Sequence, residues 1–591
     1  MTPHCLFDFP LDTNAGTRLR LAFGPPQEIL CTSKPEEVRA VLRRAEECAR
    51  AGAWVAGCVS YDAAVAFDAA HQIPGCANIP LVWFGVFAAP LPAIADVESV
   101  ANTASIAVPW QPNIERPRFD ADIASLRQNI FDGAAYQVNY TLRLHSHFHG
   151  DDLAWFAQLR NAQPAGYCAY LNLGRQRILC ASPELFFRRD GDTITTRPMK
   201  GTARRGRWSE EDRQIADWLR HSEKNRAENL MIVDLLRNDL SRIAQPHSVR
   251  VTDMFSIERH PTVWQMTSTV SAEARPHTRL DDLFAALFPC GSVTGAPKTM
   301  AMEFIARLES EPRGMYCGAI GLLRPGGDAI FNVAIRTVTL DSVTGEAICG
   351  VGGGITWDSA AGDEYAEALV KSRFLDAVPD AGSFRLIETL RLENSDYFLL
   401  ERHLYRLSES AAYFDFHCDT DTCRRQLLAL TQQHRHGTWR VRLTLGATGD
   451  IEIAISAMPG LPNGASAPIF VLAETPVKRD SIWLYHKTTR RTFYEQALAA
   501  HPEAFDVLLC NEDGQLTEFT RGNLVLEIDG VRYTPPQSCG LLDGTLRREL
   551  LESGQLTERI LNLDDLKNAS RIIFINGLRG EIELHRQQDS Q

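Results

Sequence analysis

One lysine stands apart by its setting. Lys200 lies in TRPMKGTARRG (196–206), after a proline–methionine pair, before Gly-Thr, and among arginines. A lysine amine is a nucleophile only when neutral, and desolvation or neighbouring cations make it so; otherwise it is one more surface cation. In DEYAEALVKS (363–372), Glu364, Glu367 and Lys371 stand at i, i+3 and i+7 and share one helical face, which by spacing alone is a solvated charged face. Glu228 differs, because Met231, Ile232 and Leu235 follow it at i+3, i+4 and i+7. A carboxylate on such an apolar stripe points toward the core and needs neutralising, a partner or a metal. With no His or Cys nearby, two helices offering inward carboxylates suggest a hard cation such as Mg2+. Arg336, in NVAIRTVTL (332–340), reads as an arginine within an apolar strand, in need of a carboxylate from the protein or a ligand. The glycine runs CGSVTGAPK (290–298) and GVGGGITWDS (350–359) put backbone N–H groups around an anion, or are ordinary tight turns.

The C-terminal third holds a second set. LYHKTTRRTFY (484–494) contains Lys487, LTEFTRGNL (516–524) contains Glu518, and GLLDGTLR (540–547) is a glycine-bounded turn into a helix, a seat for phosphate. Taken singly these are a surface lysine, a strand-end glutamate and a helix start.

The elements that must position these residues are legible in outline. RILCASPELFFRRDGDTITTRPM reads as strands joined by a Gly-Asp turn, and EKNRAENLMIVDLLRNDLSRI and DEYAEALVKSRFLDAV as helices. A Pro-Asp-Gly break at Pro379–Ser383 divides the chain into residues 1–378 and 383–591, each long enough to be a domain. The second part opens with a strand, a turn and a helix in FRLIETLRLENSDYFLLERHLYRL. A chain of 591 residues, 45% hydrophobic and 23% charged, is globular with more than one core. A net charge of −13 argues against nucleic acid or an anionic membrane as partner. The 14 cysteines form no CxxC pair and read as reduced cytoplasmic thiols. The longest uncharged run, QIPGCANIPLVWFGVFAAPLPAIA, is broken by prolines and reads as a strand with loops rather than a membrane span.

The motifs SPELFF, RPMKGTARRG, AENLMIVDLLRNDL, GSVTGAPK, RGMYCGAIG, AIRT and GGGITWDS…DEYAEALVKS, in that order over about 115–375, resemble the chorismate-utilising enzymes; GAWVAGCVSYDAAVAFD upstream is similar to their N-terminal part. The resemblance implies an α/β (α+β) fold, an antiparallel β-sandwich with flanking helices, that binds chorismate through Mg2+. It implies Glu228 and Glu367 as metal ligands with Glu364 close by, and Glu184 as the acid/base. Arg336 and Tyr316 would contact chorismate, with Lys371, Gly353, Gly354 and Thr202 beside them. Members that aminate chorismate at C4 carry lysine at the position of Lys200, whereas anthranilate-forming members carry a small residue. The lysine adds to C2 as the 4-hydroxyl leaves, and ammonia then adds at C4. This needs a neutral amine, which the desolvated site and the nearby arginines would favour. Gln265 stands where many relatives have histidine, Cys290 replaces a common glycine and Met199 a common isoleucine. No G-x-C-x-G glutaminase motif occurs, so the resemblance implies ammonia from a separate glutamine amidotransferase subunit.

With ERHLYRLSESAAYF (401–414), the second set resembles the class IV pyridoxal-phosphate enzymes over about 383–582. That implies a two-subdomain fold and a homodimer through the C-terminal half. Lys487 would carry the cofactor and Glu518 would face its pyridine nitrogen. Arg406, Gly544 and Thr545 would hold its phosphate. The class includes amino-acid transaminases and a lyase that expels pyruvate from 4-amino-4-deoxychorismate, leaving 4-aminobenzoate, a folate precursor. The motifs leave both open. Fusion to a domain that would make the lyase's substrate favours the lyase.

Overall fold

The computed structural model describes residues 4–11, 17–92, 105–106, 109–163, 166–260, 263–375, 384–458, 460 and 468–587. The break at Pro379–Ser383 lies outside them. The chain forms two compact units: Met1–Arg204 with Ala216–Ala381, and Arg205–Ile215 with Gly382–Gln591.

The first unit is built on two ten-stranded sheets whose pairings are all antiparallel. In one, the long strand Gln137–His149 pairs with Glu346–Ile355; in the other, Val263–Glu273 pairs with Thr193–Arg197 and Met199–Arg204. Their facing sides share one apolar cluster, with Phe7, Phe9 and Ile178 from the first sheet and Cys58, Ile320 and Ile330 from the second. The outer faces are covered by helices: Arg116–Phe131, Asp152–Asn161 and Lys298–Leu308 on one side, Pro35–Arg50 and Leu280–Leu287 on the other. This is the sandwich with flanking helices that the sequence leads one to expect. Its strands alternate apolar residues between the shared core and the helix-covered faces, so both sides are apolar and each buried Phe or Ile contributes roughly 2–3 kcal/mol.

The helices expected from periodicity are Glu223–Ser241 and Ala361–Lys371, the latter ending in a short 3-10 turn at Ser372–Leu375. Ser222 caps the former by accepting from Asn225 N. The uncharged run contributes the strand Val82–Phe87. No helix among the described residues is long and apolar enough to cross a membrane.

The second unit has two sheets. The smaller, four-stranded and antiparallel, is centred on Leu386–Glu393 and Thr438–Leu445 and covered by helices Leu400–Phe414 and Thr420–Gln433. The larger is an eight-stranded mixed sheet that includes Leu516–Phe519 and Asn523–Ile528. All 14 cysteines are free thiols.

Candidate active sites

Lys200 lies on the strand Met199–Arg204, at a register slip against Val263–Glu273 between Met199 and Thr202. Such a bulge re-aims the side chains it carries. Gly201 makes it possible, since its φ is +94, where a Cβ would be strained. Gln265 clasps the bulge from the neighbouring strand: its Nε2 donates to Gly201 O at 2.9 Å and its Oε1 accepts from Thr202 Oγ1 at 2.9 Å. Asn229 Nδ2, from helix Glu223–Ser241, donates to Lys200 O at 3.4 Å. Thr202 itself is exposed, with its hydroxyl committed to Gln265.

Burial lowers the Lys200 pKa, and the charge of Lys371 lowers it further against the pull of Glu228, Glu184 and Glu367. The arginines that follow Lys200 are not the cause. Arg205 forms an ion pair with Asp212 at 2.6 Å, and the acting cation is Lys371, from helix Ala361–Lys371.

Glu184 follows the strand Gln176–Ser182 and is fully enclosed. Burial raises its pKa to about 7, although Ser292 Oγ donates to its Oε1 at 2.6 Å and Lys200 and the Met199 N–H also favour the anion. GSVTGAPK therefore supplies a side-chain hydroxyl to the acid, a role its glycine pattern did not suggest.

The end of strand Glu346–Ile355 threads between these groups. A Cβ on Gly354 would stand 2.7 Å from Lys200 Nζ and 1.7 Å from Gln137 Nε2; one on Gly353 would stand 3.4 Å from Glu364 Oε2 and 3.5 Å from Lys371 Nζ. Glycine is needed at Gly354 for close approach rather than for a turn. Lys371 Nζ lies 2.8 Å from Glu367 Oε1 and donates to Gly352 O at 2.9 Å.

Glu364 and Glu367 lie at this strand end, and Glu228 is electrostatically coupled to Glu367. Burial raises the pKa of Glu228 and of Glu364, and the charge of Glu367 raises both further. For Glu367 burial pulls the same way, but Lys371 holds its pKa low. Among the described residues no group of three or more His, Cys, Asp or Glu side chains is placed to hold a metal ion. A Mg2+ ion needs only one or two protein carboxylates, with substrate oxygens and water completing its octahedron, and the mutually repelling Glu228 and Glu367 would suit that smaller role.

Arg336 is placed differently from the expectation. Arg336 is not within a strand: it occupies the break between Ala329–Val333 and Thr337–Asp341 with φ +49. No protein carboxylate pairs with it among the described residues. Its Nη1 donates to Gln163 Oε1, and burial pulls its pKa down to about 10. A buried guanidinium with no carboxylate partner would suit a ligand anion. Tyr316 is buried, its ring against Gly350, where a Cβ would fall 2.2 Å from Cδ1. No hydrogen bond or ion pair among the described residues joins either of them to Lys200. Arg143, with its guanidinium 5.4 Å from the Tyr316 ring, pairs with buried Glu309 at 2.9 Å, an arrangement with no local signature in the sequence.

In the second unit, Lys487 opens into a cavity of about 570 Å3. Its backbone is pinned where Ile387 N donates to Lys487 O at 2.8 Å. Burial, then the charges of Arg491 and Arg406, lower its pKa to about 7. Glu518 lines the same cavity, and burial raises its pKa to about 8 although Tyr494 Oη donates to it at 2.9 Å and Asn523 Nδ2 at 3.3 Å. An enclosed carboxylate that lacks a cation partner suits a protonated pyridine nitrogen. Arg406 directs its fork at buried Glu388, with Nε at 2.9 Å and Nη2 at 2.7 Å, and only Nη1 faces Asp543 O, at 3.4 Å. Although burial opposes it, Arg406 and His403 hold the Glu388 pKa down at about 2. Gly544 precedes helix Thr545–Glu552, and a Cβ on Gly577 would stand 2.5 Å from Thr545 Oγ1. A helix start opening on a glycine-lined cradle fits a phosphate. Lys487, Glu518, Gly544 and Thr545 thus suit pyridoxal phosphate, whereas Arg406, expected at its phosphate, borders the same cavity with its fork on Glu388. Glu388, Tyr494 and Asn523, which brace these groups, carry no motif of their own.

Residues 95–376 match the chorismate binding enzyme family and residues 385–586 match amino-transferase class IV. Over 262 residues the chain is 41% identical to aminodeoxychorismate synthase component 1 of Escherichia coli K12, 44% of this chain and 57% of that one. Over 283 residues it is 37% identical to aminodeoxychorismate synthase component 1 of Bacillus subtilis 168, 48% of this chain and 59% of that one. The matched region thus spans under two thirds of these relatives' own length. Anthranilate synthase component I from Streptococcus pneumoniae TIGR4 superposes with a TM-score of 0.50 at 26% identity, covering 64% of this chain and 90% of that one.

Proposed function

From an enzyme that joins a chorismate-binding-enzyme domain to a class IV aminotransferase domain, we propose two consecutive reactions: amination of chorismate at C4, and elimination of pyruvate from the product to give 4-aminobenzoate. The observation that carries the first is the amine of Lys200, of lowered basicity, held against the bare backbone of Gly354 and electrostatically coupled to buried Glu184. Neutral Lys200 adds to C2 of chorismate while Glu184, protonated below about pH 7, gives its proton to the departing 4-hydroxyl, which leaves as water. Ammonia then adds at C4 and the Lys200–C2 bond breaks, returning the lysine. Glu228 and Glu367, with Glu364 beside them, would hold Mg2+, which neutralises a substrate carboxylate. Ammonia comes from a glutamine amidotransferase partner, and free ammonia at high concentration replaces it.

In the second half, pyridoxal phosphate supplies an electron sink for the carbon bearing the amine. Glu518 would face the pyridine nitrogen. Lys487, with a pKa of about 7, would take the proton from C4 and return it to the departing enolpyruvate, which leaves as pyruvate while the ring becomes aromatic.

The test is one incubation of the chain with chorismate, Mg2+, pyridoxal phosphate and excess ammonium salt, with products separated and identified. 4-Aminobenzoate and pyruvate together are expected. Aminodeoxychorismate alone would move the second half to transamination, and anthranilate would overturn the role given to Lys200.

A further inference from the structure

The cavity at Lys487 carries more positive charge than its walls neutralise. Seven arginines and one lysine line it, against Glu495 and Glu518. Some of these cations have partners: Arg406 has Glu388, Arg521 has Asp506 at 3.0 Å, Arg491 donates to Thr520 O at 2.6 Å, and Arg490 lies over the Trp483 ring at 4.5 Å. Arg440, Arg442 and Arg579 pair with no carboxylate among the described residues. Arg440 Nε is buried without a hydrogen-bond acceptor. Arg440 and Arg442 are two apart on strand Thr438–Leu445 and so project from the same face, and Arg579 sits in the turn between strands Arg571–Asn576 and Gly580–Arg586. Burial and then the charges of Arg521 and Arg440 push the Arg579 pKa below the ordinary arginine value, so these guanidinium groups feel one another. Like charges held together and partly out of water are unfavourable until an anion joins them, and a planar guanidinium fork matches a carboxylate. A cofactor phosphate held at Gly544 and Thr545 would leave these three undischarged.

We propose that Arg440 and Arg579, flanked by Arg442, form a subsite for a second carboxylate, so that the C-terminal half selects amines bearing two carboxylates over monocarboxylate amines of similar size. This rests on the reading of the cavity as a pyridoxal-phosphate site, but not on which reaction follows.

The test uses the full-length chain loaded with pyridoxal phosphate and two probes without an amine, 3-(carboxymethoxy)benzoate and benzoate. Binding is read from the absorbance of the cofactor at Lys487, which does not report ligand in the N-terminal half. The wild-type chain binds the dicarboxylate at least about tenfold more tightly than benzoate, the size of one charged hydrogen-bonded contact. Arg440→Leu and Arg579→Leu each reduce that preference about tenfold while leaving benzoate binding unchanged. Arg440→Lys and Arg579→Lys, which keep the charge and replace the side chain gently, retain part of it. Equal loss for both probes, or no loss, overturns the subsite. Pyruvate release is measured separately: preference without pyruvate sinks the lyase reading alone, and pyruvate without preference sinks the subsite alone.

Discussion

Lys200 and Lys487 lose basicity to one cause, burial, and each is reinforced by cations brought from elsewhere in its unit. Replacing Lys200 by Ala should lower C4 amination by a factor on the order of 10³ or more, since the nucleophile acts as part of a unit. Lys200→Arg should not restore it, because a guanidinium does not deprotonate; product chromatography with ammonium as donor decides. The pH dependence has a defined sign. Lys200 is useful above its lowered pKa, so amination falls as acid protonates it. Glu184 is useful below about 7, so amination also falls as base ionises it. Ser292 stabilises the Glu184 anion, so Ser292→Ala should raise that pKa and move the alkaline limb of kcat to higher pH. An unmoved limb would assign it to another group.

At the scale of elements, the strand Glu346–Ile355 and the pair Leu516–Phe519 and Asn523–Ile528 each bring a site together. Gly354→Ala places a methyl group on the Lys200 amine and the Gln137 amide. It should cost amination about 100-fold or more, as misplacement of reacting groups does, and leave pyruvate release from supplied aminodeoxychorismate intact. Tyr494→Phe removes a hydrogen bond that favours ionised Glu518, so the Glu518 pKa should rise beyond about 8. Pyridoxal phosphate should then bind several-fold more weakly, by about 1 kcal/mol, as measured by cofactor titration. The helices carrying Glu228, Glu364 and Glu367 were legible from their 3.6-residue period. Arg336 was misjudged because an apolar run does not reveal a single left-handed residue that divides it into two strands.

At the scale of the molecule, Arg205–Ile215 packs with Gly382–Gln591. Within that unit Arg205 pairs with Asp212 and lies over the Tyr413 ring at 4.6 Å, Tyr413 Oη donates to Gly206 O at 2.7 Å, and Trp208 meets Tyr485 at 5.2 Å between centroids. Arg205→Ala removes the guanidinium that pairs with buried Asp212 and should destabilise this unit by about 3–5 kcal/mol. Denaturant unfolding followed through the cofactor's absorbance would measure the loss. Nothing local marks this segment for the C-terminal unit, since the arginines around Lys200 look like one cluster in the chain. The sequence alone determined what local patterns can encode: which helices present carboxylates, where glycines free the backbone, and the motifs that name both domains. Only the tertiary structure decided the partners. Ser292 reaches Glu184 across 108 residues, Gln137 meets Gly354, Lys371 rather than an arginine acts on Lys200, and Arg440 and Arg579 line one cavity. Sheet order and register set those distances, and a one-dimensional pattern with a period of two or 3.6 residues carries no information about which strands become neighbours.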